Sequence, residues 1–388
     1  MNRKPLDGVR VLDLSRLLPG PFCTLLLADL GAEVIKIEDP AGGDYIRNMA
    51  PFIEGQGAYF LALNPGKKSV SLNLKAAQGR DLFLKLAATA EVLVESFRPG
   101  TVDRLGIGYE TLKGVNPRLV YCSISGFGQH GPNRDRAGHD LDFIARSGLL
   151  DLCGRPGSAA AIPPVQVADL SSAMYAAAGI LAYLREAERT GEGRHLDVAM
   201  LESAVSWMVM PVAEYSAGER GGRGGLPLTG KHPCYHVYRT RDGRDITLAA
   251  LESKFWCAFC QKVGREDLLP LQFSEKAGDL AKFEELFASR TAEEWRTFLA
   301  GTDFCCGVVP TLDEVLADPN LRHRGSVIAP APGAPPVIRV GHPLRDRDEG
   351  VRVPPGQGQH TAEVLAELGI SGPDMDALEA SGIIRRCG

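Results

Sequence analysis

No run of apolar residues in this chain approaches the roughly 18 that a membrane span requires; the nearest, Ala173–Leu184, is interrupted by Tyr175 and Tyr183. The opening segment MNRKPLDGVR turns polar where a secretory leader needs its apolar stretch, so a cytoplasmic protein that leaves membranes alone is expected. An excess of positive charge is missing too. The 43 basic and 48 acidic residues leave a net charge of −5, which argues against a nucleic-acid binder that relies on a positive field. The nine cysteines, odd in number and scattered, form neither a disulfide framework nor a metal constellation. Cys257 and Cys260 make a lone C-x-x-C that reads as two packed thiols on one helix, and Cys305-Cys306 reads as core or loop packing. The turn after the first strand carries no G-x-G-x-x-G, so a dinucleotide is not the favoured ligand, and there is no internal repeat.

What is present is ordinary globular composition, 44% hydrophobic and 23% charged. At about 100–200 residues per domain, 388 residues suit two domains, with core enough to need no disulfide or metal staple. The opening reads β-α-β: Val9–Leu14, a break at Pro19-Gly20-Pro21, a helix over Phe22–Leu30 stopped by Gly31, and a strand over Glu33–Glu38. Alternation continues through Ser69–Leu74, Ala76–Ala87, Glu91–Glu95 and Leu119–Ser125, which predicts a doubly wound parallel sheet. From Asp169 the pattern turns helical, over Leu170–Glu188 and Leu196–Met210, with Trp207, Met208 and Met210 read as core. The glycine-rich stretch Gly218–Gly230 reads as a linker, followed by strands at Tyr235–Arg239 and Ile246–Leu251 and helices at Ser253–Val263 and Ala292–Leu299. A proline-rich connector, Ala329–Pro336, precedes a last helix over His360–Leu368. The fold class is therefore α/β, with a Rossmann-like large domain and a smaller α+β domain. The expected divisions are 1–217 for the large domain, 218–230 for the linker, 231–328 for the small domain and 329–388 for a C-terminal return to the large one.

Few residues carry obvious chemistry. His139 stands in Ala137-Gly138-His139-Asp140, at a loop-to-helix junction where an imidazole can face a cleft. Asp169 follows a mostly apolar run and opens the long helix, and on pattern alone it reads as an N-cap. The same geometry would let helix-start N–H groups receive an oxyanion while the carboxylate moves a proton. Glu252 closes a strand, where a solvated acid is unremarkable, and Lys67 and Lys68 fall in a turn, Asn64–Lys68, read as a solvated loop.

Taken together these positions resemble the family III CoA transferases. The shared motifs are Gly20-Pro21, Glu33–Glu38 with Pro40, Asn64–Lys68, Glu95–Gly100 (ESFRPG), Arg104-Leu105-Gly106, Asn116–Tyr121, Ser125–Gly128 (SGFG) and His360-Thr361. Within the family, Ala137–Asp140 (AGHD), Asp169 lying 30 residues after His139, and Ala250-Leu251-Glu252 after Asp242-Gly243 resemble the racemases of 2-methylacyl-CoA thioesters.

That resemblance implies a mechanism. His139, oriented by Glu252, and Asp169 would serve opposite faces of a planar enolate, whose oxygen would meet backbone N–H groups near Asp169. Lys67, Arg98 and Arg104 would face the CoA phosphates and Phe97 the adenine or pantetheine, with no metal and no cofactor beyond the CoA moiety of the substrate. Where many relatives carry an arginine before the proline of the second-strand loop this chain has Asp39, so the nucleotide end is expected either to bind differently or to find its cation at Arg47. The resemblance further implies an interlocked homodimer. Two alternatives stand beside epimerisation. One is CoA transfer between carboxylic acids through an Asp169 anhydride and thioester, which the glycine-rich stretch would suit. The other is a non-catalytic acyl-CoA binder.

Overall fold

The computed structural model describes residues 4–330, 332–346, 350 and 352–387. The chain forms two compact units, one of Met1–Ser147, Val165–Ser206 and Pro319–Gly388, the other of Gly148–Pro164 and Trp207–Asp318. These boundaries differ from those drawn on composition. Residues 148–164 leave the large unit, the stretch 218–230 lies inside the small unit rather than ahead of it, and the small unit ends before the proline-rich segment 329–336, of which residue 331 lies outside the described residues.

In the large unit the elements run β1 (Arg10–Asp13), α1 (Pro19–Asp29), β2 (Glu33–Glu38), β3 (Lys68–Leu72), α2 (Ala77–Ala87), β4 (Val92–Glu95), β5 (Val120–Ser125), α3 (Asp140–Arg146), α4 (Val167–Thr190), β6 (His195–Ala199) and α5 (Met200–Ser206). The sheet order is β3-β2-β1-β4-β5-β6, every one of these pairs parallel, with Ile384–Arg385 added antiparallel to β3. Helices cover both faces, so the central strands β1, β2, β4 and β5 carry apolar residues on both sides. Val11, Val34, Val94 and Ile124 pack in the cluster that holds residues of α1 and α4, while Leu12, Ile35, Val70 and Tyr121 meet Leu82, Phe83 and Leu86 of α2. The order reverses between β1 and β4, and the loops leaving those two strands part to open a crevice at their carboxyl ends.

Three features of this unit depart from the pattern read in the sequence. Pro19 starts α1 rather than breaking the chain, because its fixed φ and missing N–H are harmless in a first turn. Residues 196–199, read as the start of a helix, belong to the strand β6; alternate polar residues and a direct run into α5 disguise them. α4 is long and apolar enough to cross a membrane by length and composition, at a mean hydropathy of 1.4, a property assembled from alanines rather than from one greasy run. It packs instead against α1 and β5, and the hydroxyls of Ser171 and Ser172 bond back to the carbonyls of Ala168 and Asp169 at 3.1 and 2.8 Å.

The C-terminal segment staples the sheet edge. His360 Nδ1 accepts the Ser69 N–H at 3.1 Å and Thr361 Oγ1 accepts the Ser71 N–H at 3.0 Å, which gives the His-Thr motif a structural duty. In the small unit, β7 (Tyr235–Arg239), β8 (Asp245–Ala249) and β9 (Cys306–Val308) form an antiparallel sheet in the order β9-β8-β7. Helices α6 (Ser253–Lys262), α7 (Ala277–Ala288) and α8 (Ala292–Leu299) cover it through Trp256, Phe259, Phe283, Phe287 and Trp295. Cys260 is part of that core but Cys257 is exposed, so only one of the pair is packed. Trp207 and Met210 are likewise half exposed rather than core, while Met208 is buried.

Candidate active site

The turn after β1 is built by close contact. A Cβ on Gly20 would lie 2.1 Å from Ser15 Cβ, so only glycine lets α1 begin against this turn. Leu17 is held at a φ of 63°, in the left-handed region that a branched side chain rarely adopts. The turn delivers Arg16 and Leu17 to a cavity of about 460 Å³, which Phe97 and Arg98 after β4, Ser125 and Gly126 at the end of β5, and His139 and Asp169 complete. A second cavity of about 580 Å³ shares Arg16, Tyr45 and Phe97 with it and extends past Asp39 and Lys75. Both sit where the sheet order reverses.

His139 is positioned by an absence of side chains. A Cβ on either Gly126 or Gly138 would lie 2.6 Å from the Phe143 ring, so the two glycines let that buried ring clamp the loop onto the end of β5. Phe127 meets the same ring edge to face at 5.3 Å. His139 is the residue that precedes α3, its N–H donating to Asp142 Oδ2 at 3.1 Å, and its exposed side chain lines the cavity.

Asp169 is not the N-cap that its context suggests. The cap position is Gln166, and Asp169 stands in the first turn of α4. Capping is done from α3: Asp140 Oδ1 accepts the N–H of Ala168 at 2.7 Å and of Asp169 at 3.1 Å. Burial, and then the Asp140 charge, push the Asp169 carboxyl up to about 7. The same bonds correct the expected oxyanion site, because the helix-start N–H groups near Asp169 are already committed to Asp140.

The cations also differ from expectation. Lys67, read as a loop lysine facing phosphate, is 3% exposed. Its ammonium lies 2.7 Å from Thr24 Oγ1, 2.9 Å from Asn64 Oδ1, 3.0 Å from the Pro21 carbonyl and 3.1 Å from Asp13 Oδ2. It therefore braces the turn from beneath. Arg47 is equally committed, paired with Glu38 at 2.7 Å and lying 3.6 Å over the Phe60 ring, so it does not replace the arginine that Asp39 displaces. Asp39 itself turns its carboxylate onto the Ala41 N–H at 2.9 Å.

Arg98 lines the cavity as expected, and Phe97 lies between the two cavities with Arg16 stacked over it at 5.0 Å. Arg104 lies beside them, and its Nη1 and Arg134 Nη2 approach the same point over Gly100, to 3.5 and 3.4 Å. Arg16, Tyr45, Lys75, Arg134 and Arg136 were not singled out in the sequence. Arg16 and Lys75 stand two residues and one residue past the ends of predicted strands, and the rule that ligands sit at the carboxyl ends of α/β strands would have found them. Glu252 precedes α6 in the small unit and is exposed, so its pairing with His139 is a relation between units and belongs to the proposal below. Among the described residues, no group of three or more His, Cys, Asp or Glu side chains is placed to hold a metal ion.

An imidazole shares one cavity, rimmed by arginines at the switch point of a doubly wound sheet, with a carboxyl that burial pushes up to about 7, an arrangement able to move protons beside an anionic ligand. The chain matches CoA-transferase family III over residues 6–361 and belongs to that family. It is 35% identical to the alpha-methylacyl-CoA racemase of Mus musculus, over 98% of this chain and 97% of that protein. It is 32% identical to the succinyl-CoA:glutarate CoA-transferase of the same species, over 99% of this chain and 91% of that one. Among solved structures, a CAIB/BAIF family protein from Brucella suis superposes with a TM-score of 0.82 at 31% identity, covering 95% of this chain and all of that one.

Proposed function

We propose that the protein epimerises 2-methylacyl-CoA thioesters by removing and returning the α-proton through an enolate. The observation that carries this reading is that His139 and Asp169 line one cavity while the Asp169 carboxyl is pushed up to about 7. Inverting a carbon through a planar enolate needs a base on one face and an acid on the other, and both must change roles in the reverse direction. A carboxyl near 7 is divided between its two forms at neutral pH, so it serves either role. One group takes the α-proton, the C–H electron pair becomes the enolate C=C, and the carbonyl electrons move to oxygen. The other group then delivers a proton to the opposite face. Glu252 orients His139 in this scheme.

The CoA phosphates fall to Arg98, Arg104 and Arg16, which makes no ion pair among the described residues, with Phe97 against the pantetheine or adenine; Lys67 is withdrawn from that set. No step uses a metal or redox cofactor. The enzyme works as a cytoplasmic homodimer.

A second reading has Asp169 attack a donor thioester to form an anhydride, expel CoA, and then exchange to an aspartyl-CoA thioester. A relative named as a transferase at nearly the same identity as the racemase favours it. The presence of His139 on the same cavity weighs against it, since the anhydride route needs no second proton-transfer group. A binder without activity has no use for either group.

Proton NMR of a single-enantiomer 2-methylacyl-CoA in D₂O, with no acceptor acid, tests the proposal. Loss of the α-proton signal with collapse of the methyl doublet is expected. An unchanged spectrum that gives way to CoA transfer once a carboxylic acid is added establishes the second reading.

A further inference from the structure

An enolate oxygen needs a hydrogen-bond donor, and the backbone groups that the helix start would offer are bound to Asp140. The cavity holds another candidate. β5 ends at Ser125, and alternate residues of a strand share a face, so Ser125 lies on the side of Tyr121 and Ser123. The Ser123 hydroxyl is paired with His195 Nε2 at 2.9 Å. Ser125, one step nearer the crevice, is 5% exposed and lines the cavity with His139 and Asp169, yet its Oγ has no hydrogen-bond partner among the described residues.

A hydroxyl that faces the cavity with no partner from the described residues is a donor open to an acceptor atom of a bound ligand. Ser125 adjoins Gly126, against which the Phe143 ring packs, and shares the cavity with His139 and Asp169, so the acceptor it meets is the oxygen next to the carbon whose proton those two groups handle.

We propose that Ser125 Oγ–H donates to the thioester carbonyl oxygen, as a bond that strengthens when this atom becomes the enolate oxygen. The assignment rests on the epimerase reading above. Only the α-proton is transferred: the base takes it from carbon, the C–H pair forms the C=C bond, the carbonyl π pair passes to oxygen, and Ser125 keeps its proton throughout. Reprotonation at carbon runs the same electrons back.

The test is the kcat and KM for α-proton exchange in wild type, Ser125→Ala, Ser125→Cys and Ser125→Thr, each checked for folding by circular dichroism and thermal melting. Ser125→Ala is expected to lose about 10²-fold in kcat, with KM changed less than about threefold. Ser125→Cys, a poor donor, should fall in the same direction, and Ser125→Thr, which restores the hydroxyl, should recover most of the rate. An unchanged kcat in a folded Ser125→Ala protein overturns the assignment, and so does a rise confined to KM, which marks a ground-state contact. Absence of exchange in the wild type overturns the epimerase reading itself, an outcome visible before any variant is compared.

Discussion

The Asp140 carboxylate accepts the backbone N–H of Asp169 at 3.1 Å and of Ala168 at 2.7 Å, so one acid caps the helix that presents the other. The bonds satisfy donors that a helix start otherwise leaves open. The same proximity sets a second negative charge beside Asp169 and adds to burial in disfavouring its ionisation. The AGHD segment thereby acts as a unit: Gly138 admits the Phe143 ring, His139 opens onto the cavity, and Asp140 tunes Asp169 from behind.

Asp140→Asn keeps an oxygen able to accept both N–H groups but removes the charge. Asp169 should then ionise at lower pH. In the pH profile of α-proton exchange, the limb set by Asp169 near 7 is expected to move to lower pH. Thermal stability should change by less than about 1 kcal/mol, because Asn caps as well as Asp. A limb that stays in place assigns the titration to another group.

Gly138→Ala probes how His139 is held. Gly138 is not among the glycines with positive φ, so the substitution brings no backbone strain; it brings a Cβ to within 2.6 Å of the Phe143 ring. Either the ring or the loop must give way. Exchange activity is expected to fall at least about tenfold, with a stability cost of about 1–3 kcal/mol. Pairing it with Phe143→Leu, which shortens the obstructing side chain, should return part of the activity. Full activity in Gly138→Ala would show that the glycine contact does not place the histidine.

Glu95, at the end of β4, offers a stability test free of the mechanism. Burial pushes its carboxyl up to about 7 from 4.5, against hydrogen bonds from Ser123 and from the Phe97 N–H at 2.8 Å. The folded protein therefore binds the proton more tightly than the unfolded chain. The contribution of Glu95 is most favourable below 4.5 and is lost as pH rises towards 7, amounting to roughly 3 kcal/mol once both states are ionised. Glu95→Gln removes the penalty while keeping a neutral hydrogen-bonding end. Its melting temperature should exceed wild type at pH 8 and lose that advantage at pH 4. A constant difference across that range would place the titration elsewhere.

Much of this molecule was legible because strands buried on both faces write themselves as short β-branched runs. β2 has the predicted bounds, and β4, β5 and β7 agree within a residue at either end. β6 was illegible for the converse reason, since His195 and Asp197 give it alternate polar positions and no gap separates it from α5. The family motifs brought out His139 and Asp169, which share a cavity, but motif and context do not say what a neighbour three dimensions away has already claimed. That is why Asp169 passed for its own cap, and why the lysine of a glycine turn passed for a surface group. A turn sequence reports local geometry; whether its side chain points out or down depends on an acid at the end of β1, more than fifty positions away.

The last prediction separates these two roles of a cation. Burial works against the Asp13 charge, but Lys36 and Lys67, with the Ser15 and Thr24 hydroxyls, hold its carboxyl far below the usual range. Lys67→Met keeps the length and apolar stem of the lysine and removes one of the two charges, leaving a buried carboxylate under-compensated. The expected cost is about 3 kcal/mol in unfolding free energy, and adding Asp13→Asn should recover much of it. Arg98→Ala, on the cavity wall, should do the opposite: unfolding within about 0.5 kcal/mol of wild type and a KM for the CoA thioester raised about tenfold or more. Were Lys67→Met to keep its stability and lose affinity, the ammonium would have to reach the ligand after all, and the turn after β1 would have to open to let it through.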